Sequence, residues 1–90
     1  MSLREKINHA KTTIVDVRTP GEFVGGHVAG SINIPLNEVV SRIAELKSMQ
    51  PLVLCCESGG RSGQAAGYLS EQGLDVVNGG GWKIVDAHKA

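Results

Sequence analysis

Four segments rich in apolar or β-branched residues recur along the chain, and each has the length of a short strand. The clearest is the run 52–55, four consecutive apolar residues that follow Pro51. A continuous apolar run of this kind is typical of a strand covered on both faces. The predicted strands are residues 12–17, 31–34, 52–55 and 74–77.

Between the strand-like segments, the apolar positions follow helical spacing. The sequence from Thr19 to Glu22 is a capping box with proline at the first helical position, and it predicts a short helix that ends at Gly25. Asn37 is expected to cap a longer helix. That helix would bury Val39, Val40, Ile43 and Leu46 at helical spacing. Further helices are predicted at residues 3–9, 62–72 and 82–87.

Strands that alternate with helices predict an α/β fold with a mostly parallel central sheet and helices on both faces. Ninety residues are enough for one core, so we expect a single domain over residues 1–90. In such sheets, ligands bind at the carboxyl ends of the strands. The segment that follows the strand 52–55 is therefore the first place to look for a site.

The charge pattern excludes several classes of partner. Nine basic residues balance nine acidic ones, so no broad electrostatic field attracts nucleic acid or anionic lipid. No segment reaches the roughly 18 apolar residues that a membrane helix needs. Charged residues also stand near the N-terminus, where a signal peptide would have an apolar core. We expect a cytoplasmic protein that binds neither nucleic acid nor membrane.

The two cysteines, Cys55 and Cys56, are neighbours in the sequence. A disulfide between neighbours is strained and would not connect distant parts of the chain. No histidine lies nearby, so a zinc site is not expected either. Cys56 instead stands where a strand ends and a helix begins, a position at which loop amides and the helix dipole favour thiolate. Cys55 points the opposite way along the strand and is expected to fill the core, the alternative being a resolving thiol.

Three blocks of sequence carry a resemblance to a known family. They are Ile14–Arg18 with Glu22-Phe23 and Gly26–Pro35, then Cys56–Ser62, which has the pattern Cys-x-x-Gly-x-Arg-Ser, and finally Asn78–Trp82. In this order and at these separations, the blocks resemble those of single-domain rhodaneses, which are sulfurtransferases.

The resemblance implies a reaction in which Cys56 takes sulfane sulfur from a donor, becomes a persulfide and passes the sulfur on. The donor would be thiosulfate, a polysulfide or a similar molecule. The acceptor would be cyanide, a small thiol or a protein thiol. No metal or organic cofactor is implied. The active-site loop is expected to comprise Glu57, Ser58, Gly59, Gly60, Arg61 and Ser62.

Three side chains of the loop, those of Ser58, Arg61 and Ser62, have two interpretations each. Arg61 is expected to steady the loop or to meet substrate charge. Ser58 and Ser62 are expected either to hydrogen-bond the persulfide or, for Ser62 above all, to cap the helix. Glu57 stands where many family members have a basic residue, which predicts weaker use of thiosulfate than in a Glu57→Lys variant.

Four polar residues in the first block, Asp16, Arg18, Glu22 and His27, suggest a catalytic cluster. A structural role, in which they pair with each other and tie the first strand and helix to the sheet, is the preferred interpretation. His27 is not expected to act as the base for Cys56, because a thiolate formed by backbone dipoles needs none. Trp82 is expected to lie in the core, or else at the mouth of the pocket.

Two other functions remain open. One is an anion-handling phosphatase or arsenate reductase on the same fold, but those enzymes need five residues between cysteine and arginine, and only four separate Cys56 from Arg61. The other is a binding or regulatory module that relays sulfur to a partner protein with little catalysis of its own.

Overall fold

The structure, a computed structural model, describes residues 1–90 and contains one sheet of four parallel strands in the order β2-β1-β3-β4. This confirms the predicted α/β class. The strands are β1 Thr13–Asp16, β2 Ile32–Asn33, β3 Leu52–Cys56 and β4 Val76–Gly81. The helices are α1 Leu3–Asn8, α2 Pro20–Val24, α3 Ile43–Ser48, α4 Gly60–Glu71 and α5 Trp82–His88, and a 3₁₀ turn covers Leu36–Glu38.

The central strand β3 divides the core into two layers, and all five of its residues are buried. Because successive side chains on a strand point to opposite faces, Leu52, Leu54 and Cys56 lie on one side and Val53 and Cys55 on the other. The first group packs with side chains of α3 and α4, and the second with side chains of α1 and α5. Helices therefore cover both faces of the sheet, as the sequence predicts.

The predicted capping box at the start of α2 is confirmed. Thr19 Oγ1 accepts a hydrogen bond from the Glu22 N–H, and the Glu22 carboxylate accepts one from the Thr19 N–H. These bonds satisfy two of the amides that a helix N-terminus leaves without partners. They place α2 directly after β1, at the carboxyl edge of the sheet.

The prediction of one long helix capped by Asn37 is wrong. Asn37 lies inside the 3₁₀ turn, which has no side-chain cap, and a regular helix begins only at Ile43. Val39 and Leu46 are buried as predicted, but Val40 is 61% exposed. Two β-branched valines followed by serine have low helix propensity, and Ser41 Oγ instead donates to the Glu38 carbonyl and closes the turn.

The last strand begins two residues later than predicted and continues through the glycines that follow Asn78. Within this segment, Gly80 pairs with Cys55 and Gly81 with Cys56. A Cβ on Gly81 would lie 2.8 Å from the Glu57 carbonyl oxygen, so only glycine allows this strand to approach the end of β3 so closely. The sequence pattern does not predict these glycines as part of the strand, because glycine is rare in strands. No helix of the structure has the length and apolarity to cross a membrane.

Candidate active site

Cys56 is the last residue of β3, and α4 begins four residues later at Gly60. The turn between them depends on Gly59, whose φ of 102° lies in the left-handed region that other residues rarely adopt. This conformation turns the loop back on itself, so that the Gly59 N–H donates to Cys56 Sγ at 3.0 Å. We call residues 57–62 the cradle, because they surround the sulfur.

Three hydrogen-bond donors converge on the sulfur of Cys56. Besides Gly59, the Ser62 N–H lies 3.4 Å from Sγ and the Ser62 hydroxyl 3.3 Å from it. The Cys56 side chain is 1% exposed and Ser62 is fully buried, so water does not compete for these bonds. Backbone donors fixed in this way stabilise negative charge on sulfur without having to reorganise.

The pKa of the Cys56 thiol lies below its usual value of 9.0. Burial by itself raises this pKa, because it removes the charged form from water. The hydrogen bonds from the Ser62 hydroxyl and the N–H groups of Ser62, Gly59 and Ser58 act in the other direction and outweigh the burial. The thiolate therefore forms more readily than in an ordinary cysteine, although the residue is buried and no cation is hydrogen-bonded to its sulfur.

Cys55 has the opposite environment although it is the neighbouring residue. It is fully buried in the layer formed with α1 and α5, next to Val53 and Val85. Burial, helped by the nearby Asp16 carboxylate, raises the pKa of its thiol to about 12. The predicted role of Cys55 as a core residue agrees with this position.

Asn78 of β4 connects two parts of the cradle. Its Oδ1 accepts from the Ser62 hydroxyl at 2.7 Å and from the Gly80 N–H at 2.9 Å. Its Nδ2 donates to the Gly59 carbonyl at 3.1 Å. Sequence reasoning noted this residue only as part of a family block. The available signal was a polar side chain immediately before three glycines.

Arg18 forms a buried ion pair beneath the cradle. It donates from Nε and Nη2 to both carboxylate oxygens of Asp16, at 2.7–3.0 Å, and only 3% of the Arg18 residue is exposed. These hydrogen bonds raise the pKa of the guanidinium. Its Nη1 also lies 3.8 Å from the Glu57 carboxylate. These contacts support the structural interpretation of Asp16 and Arg18. They also place the Glu57 carboxylate near the Arg18 guanidinium.

Arg61 is paired with Glu22 of α2, through Nη1 to Oε1 at 2.7 Å and Nη2 to Oε2 at 3.0 Å. The two hydrogen bonds tie α4 to α2, and they lower the pKa of the Glu22 carboxyl to about 2. Of the two interpretations of Arg61, this geometry supports the one in which it steadies the loop. Glu22 therefore pairs with the cradle, whereas the sequence predicted a partner in its own block.

Ser62 does not cap α4, so that prediction is wrong. The helix begins at Gly60, and the residue at the N-cap position is Gly59, which has no side chain to accept a hydrogen bond. Ser62 is the third residue of the helix, and its hydroxyl oxygen lies within hydrogen-bond distance of Cys56 Sγ and Asn78 Oδ1. The other interpretation, a hydrogen bond from Ser62 to the persulfide, stays a prediction.

A polar cavity of about 270 Å³ opens beside the cradle, and Glu57 forms part of its wall. Trp82 lines the same cavity, and its ring lies 4.9 Å from the Arg18 guanidinium carbon. Trp82 is therefore at the mouth of a pocket as well as against the core. His27 is exposed, stacks on Phe23 at 3.7 Å between ring centroids and has no hydrogen bond to Cys56.

The fold and the cradle define a class of α/β domain in which backbone amides are directed at a cysteine sulfur at a strand end. The chain matches the family of rhodanese-like domains over residues 2–87, and it belongs to that family. No cluster of three or more histidine, cysteine or acidic side chains that could hold a metal ion is present.

Several relatives are similar over most of this chain. It is 38% identical over 72 residues to the uncharacterized protein YqhL of Bacillus subtilis, and this covers 80% of the chain but only 57% of YqhL. It is 44% identical over 74 residues to thiosulfate sulfurtransferase PspE of Escherichia coli K12, covering 79% and 71% of the two. A solved structure described as rhodanese with anions from E. coli superposes with a TM-score of 0.74 at 42% identity, covering 81% and 89%.

Proposed function

We propose that this protein is a sulfurtransferase that carries sulfane sulfur as a persulfide on Cys56. The observation that carries the proposal is the set of three donors around Cys56 Sγ, which stabilise an anion in a buried position. Membership of the rhodanese-like family and the similarity to proteins named thiosulfate sulfurtransferases support it.

The proposed reaction has two displacements. The Cys56 thiolate attacks the sulfane sulfur of the donor, a sulfur–sulfur bond forms, and the leaving group departs with the electron pair of the bond that breaks. With thiosulfate, the leaving group is sulfite. An acceptor nucleophile then attacks the outer sulfur of the persulfide, and the Cys56 thiolate leaves. The acceptor attacks the outer sulfur because the Cys56 thiolate, which the cradle donors stabilise, is then the leaving group.

The charges around the cradle bear on the choice of donor. The two arginines that contribute to this region are each paired with a carboxylate, Arg18 with Asp16 and Arg61 with Glu22. Glu57 adds a further negative charge, 3.8 Å from Arg18 and 56% exposed at its side chain. We therefore propose that doubly charged thiosulfate is a poor donor and that a persulfide or polysulfide of lower charge is preferred.

The Glu57→Lys variant tests this part of the proposal. We expect its kcat/KM for thiosulfate to exceed that of the wild type by about tenfold, because an attractive charge replaces a repulsive one at the cavity wall. Glu71→Lys makes the same change of net charge at the end of α4 and serves as the control. Equal kcat/KM values for the wild type and Glu57→Lys would show that Glu57 does not select the donor.

A sulfur relay to a partner protein is the second candidate. Its support is that many related chains are longer, as with YqhL, so the domain has relatives that contain further sequence. Transfer from the loaded protein to low-molecular-weight thiols as fast as to any protein thiol would count against a relay. A phosphatase or arsenate reductase is not favoured, because Arg61 is engaged with Glu22 and the spacing from Cys56 is one residue short.

We also propose that the protein is cytoplasmic. Both cysteines are free thiols in the structure, and a free reactive thiol is best maintained in a reducing compartment.

A further inference from the structure

We propose that Asn78 is a positioning residue that accepts the Ser62 hydroxyl hydrogen whenever Cys56 Sγ carries no charge, and releases it when Sγ is a thiolate. The inference rests on the proposed persulfide chemistry and adds to it a residue from another strand. Asn78 reaches the sulfur only through Ser62 and Gly59, so its role is indirect.

The orientation of the Asn78 amide follows from its backbone partners. The Gly80 N–H can only donate, so the atom that faces it at 2.9 Å must be the amide oxygen. The Gly59 carbonyl can only accept, so the atom that faces it at 3.1 Å must be the amide nitrogen. A flipped amide would place two donors together and two acceptors together. Oδ1 is therefore directed at Ser62 in every state of the sulfur.

Ser62 has one hydroxyl hydrogen and two acceptors within reach. Asn78 Oδ1 lies 2.7 Å from its oxygen, and Cys56 Sγ lies 3.3 Å from it. When Cys56 is a thiolate, the full charge on Sγ attracts the hydrogen. In a persulfide the charge is on the outer sulfur, and Sγ becomes a weak acceptor. The hydrogen then has its better partner in Asn78.

Asn78 can release the hydrogen at little cost. Its Oδ1 keeps the hydrogen bond from the Gly80 N–H in both states, so the oxygen is never left without a donor. Ser62, by contrast, is fully buried and has no water to replace a lost acceptor. Without Asn78, the loaded state would leave a buried hydroxyl hydrogen unpaired. Asn78 therefore stabilises the persulfide relative to the free thiolate.

The test is the equilibrium between thiolate and persulfide on Cys56. The protein is incubated with a fixed ratio of glutathione persulfide to glutathione, at a pH where Cys56 is ionised, and the fraction loaded is determined by intact mass. Asn78→Leu has the shape of asparagine without its hydrogen bonds, and Asn78→Asp keeps the acceptor oxygen. Both are compared with the wild type, and Asn78→Leu is also made in the Ser62→Ala background.

We expect Asn78→Leu to lower the ratio of persulfide to thiolate about tenfold, the typical effect of one buried unsatisfied hydroxyl. In the Ser62→Ala background the same change should lower it by less than about twofold, because no hydroxyl hydrogen remains. Asn78→Asp should stay near the wild-type ratio, since both sulfur states carry the same charge. If Asn78→Leu does not fold, Asn78→Ala takes its place.

Two results would overturn the inference while leaving the proposed function intact. One is an equal effect of Asn78→Leu with and without the Ser62 hydroxyl. The other is a ratio in Asn78→Asp as low as in Asn78→Leu, which would indicate a purely structural role. A wild-type protein that gains no sulfur at any ratio would instead refute the proposed function, and the inference with it.

Discussion

Cys55 and Cys56 are consecutive residues of one strand, yet they lie in opposite environments. Cys55 faces the apolar layer of α1 and α5, where burial raises the pKa of its thiol to about 12. Cys56 faces the cradle, where amide and hydroxyl donors bring its pKa below 9.0 despite burial. A strand that places alternate side chains on opposite faces thus separates a core residue from a residue of the candidate site within one position.

The comparison shows that burial raises the pKa of a thiol unless hydrogen-bond donors surround the sulfur and outweigh it. Both side chains are almost fully covered, at 0% and 1% exposure. The two cysteines differ in the hydrogen-bond donors that surround the sulfur. Only Cys56 is followed by a turn in which Gly59 and Ser62 present N–H groups to the sulfur.

The largest expected difference is in reactivity towards iodoacetamide. We expect Cys56 to be alkylated more than about a thousandfold faster than Cys55 in the folded protein, because three or more pKa units separate their thiolate fractions. The rate should rise with pH through a midpoint below 9.0. Peptide mass analysis after a time course measures the two rates. Comparable rates for the two cysteines would contradict the account.

This contrast was largely predictable from the sequence. The apolar run that ends at Cys56, the glycines after it and the helix start placed the thiol among amides, and the period of two placed Cys55 on the other face. The family resemblance in three blocks led to the same residue. Local signals were sufficient because strand, turn and helix are contiguous in the chain.

The next effect concerns the left-handed turn that builds the cradle. Gly59→Ala and Gly73→Ala each place a side chain at positive φ, 102° and 87°. Gly73→Ala should lower the free energy of unfolding by about 1 kcal/mol, and Gly59→Ala by more, because its Cβ would also press on Gly80. Only Gly59→Ala should also slow sulfur loading, by about tenfold, because its N–H donates to Cys56 Sγ. Urea unfolding and the loading rate separate the two effects.

Gly73 is the matched control, since a Cβ there would meet nothing within 4 Å. At Gly59 a Cβ would lie 3.3 Å from the Gly80 Cα and press on the strand that carries Asn78. Equal loading rates in the two variants would mean that the turn is needed for folding alone.

The smallest expected effect is on folding stability at acid pH, which should depend on the Cys56 side of the sheet more than on the Cys55 side. The Cys56 face is held in part by the Arg61–Glu22 ion pair, whereas the Cys55 face is held by apolar packing. The folded-state pKa of Glu22, about 2, lies below its ordinary value of 4.5. The stabilisation is therefore complete above pH 4.5 and is lost as the pH falls towards 2.

Glu22→Gln should remove that part of the acid sensitivity and lower the Tm slightly at neutral pH, as expected for a pair that solvent still partly reaches. Thermal unfolding followed between neutral pH and pH 2 measures both. The control is Glu45→Gln, which breaks an ion pair with Arg42 that involves no residue of the cradle. Identical pH profiles for the wild type and Glu22→Gln would show that the pair contributes nothing to stability.

Contacts between distant segments were not predictable in the same way. The pairing of Glu22 with Arg61 joins residues 39 apart, and the contact of Asn78 with Ser62 joins residues 16 apart. Such contacts depend on strand order and register, which hydrophobic periodicity does not encode. The helix expected from Asn37 failed for a local reason, the low helix propensity of Val39 and Val40 and the turn closed by Ser41.

The most direct test of the central claim is the intact mass of the reduced protein after incubation with a sulfur donor. Wild type, Cys55→Ser and Cys56→Ser are each treated with thiosulfate and, separately, with a polysulfide, before and after addition of cyanide or dithiothreitol. The account predicts that the wild type and Cys55→Ser gain the mass of one sulfur atom, which the acceptor removes, and that Cys56→Ser gains none. A folded, reduced wild type that gains no sulfur from any donor, or a Cys56→Ser variant that still does, would contradict it.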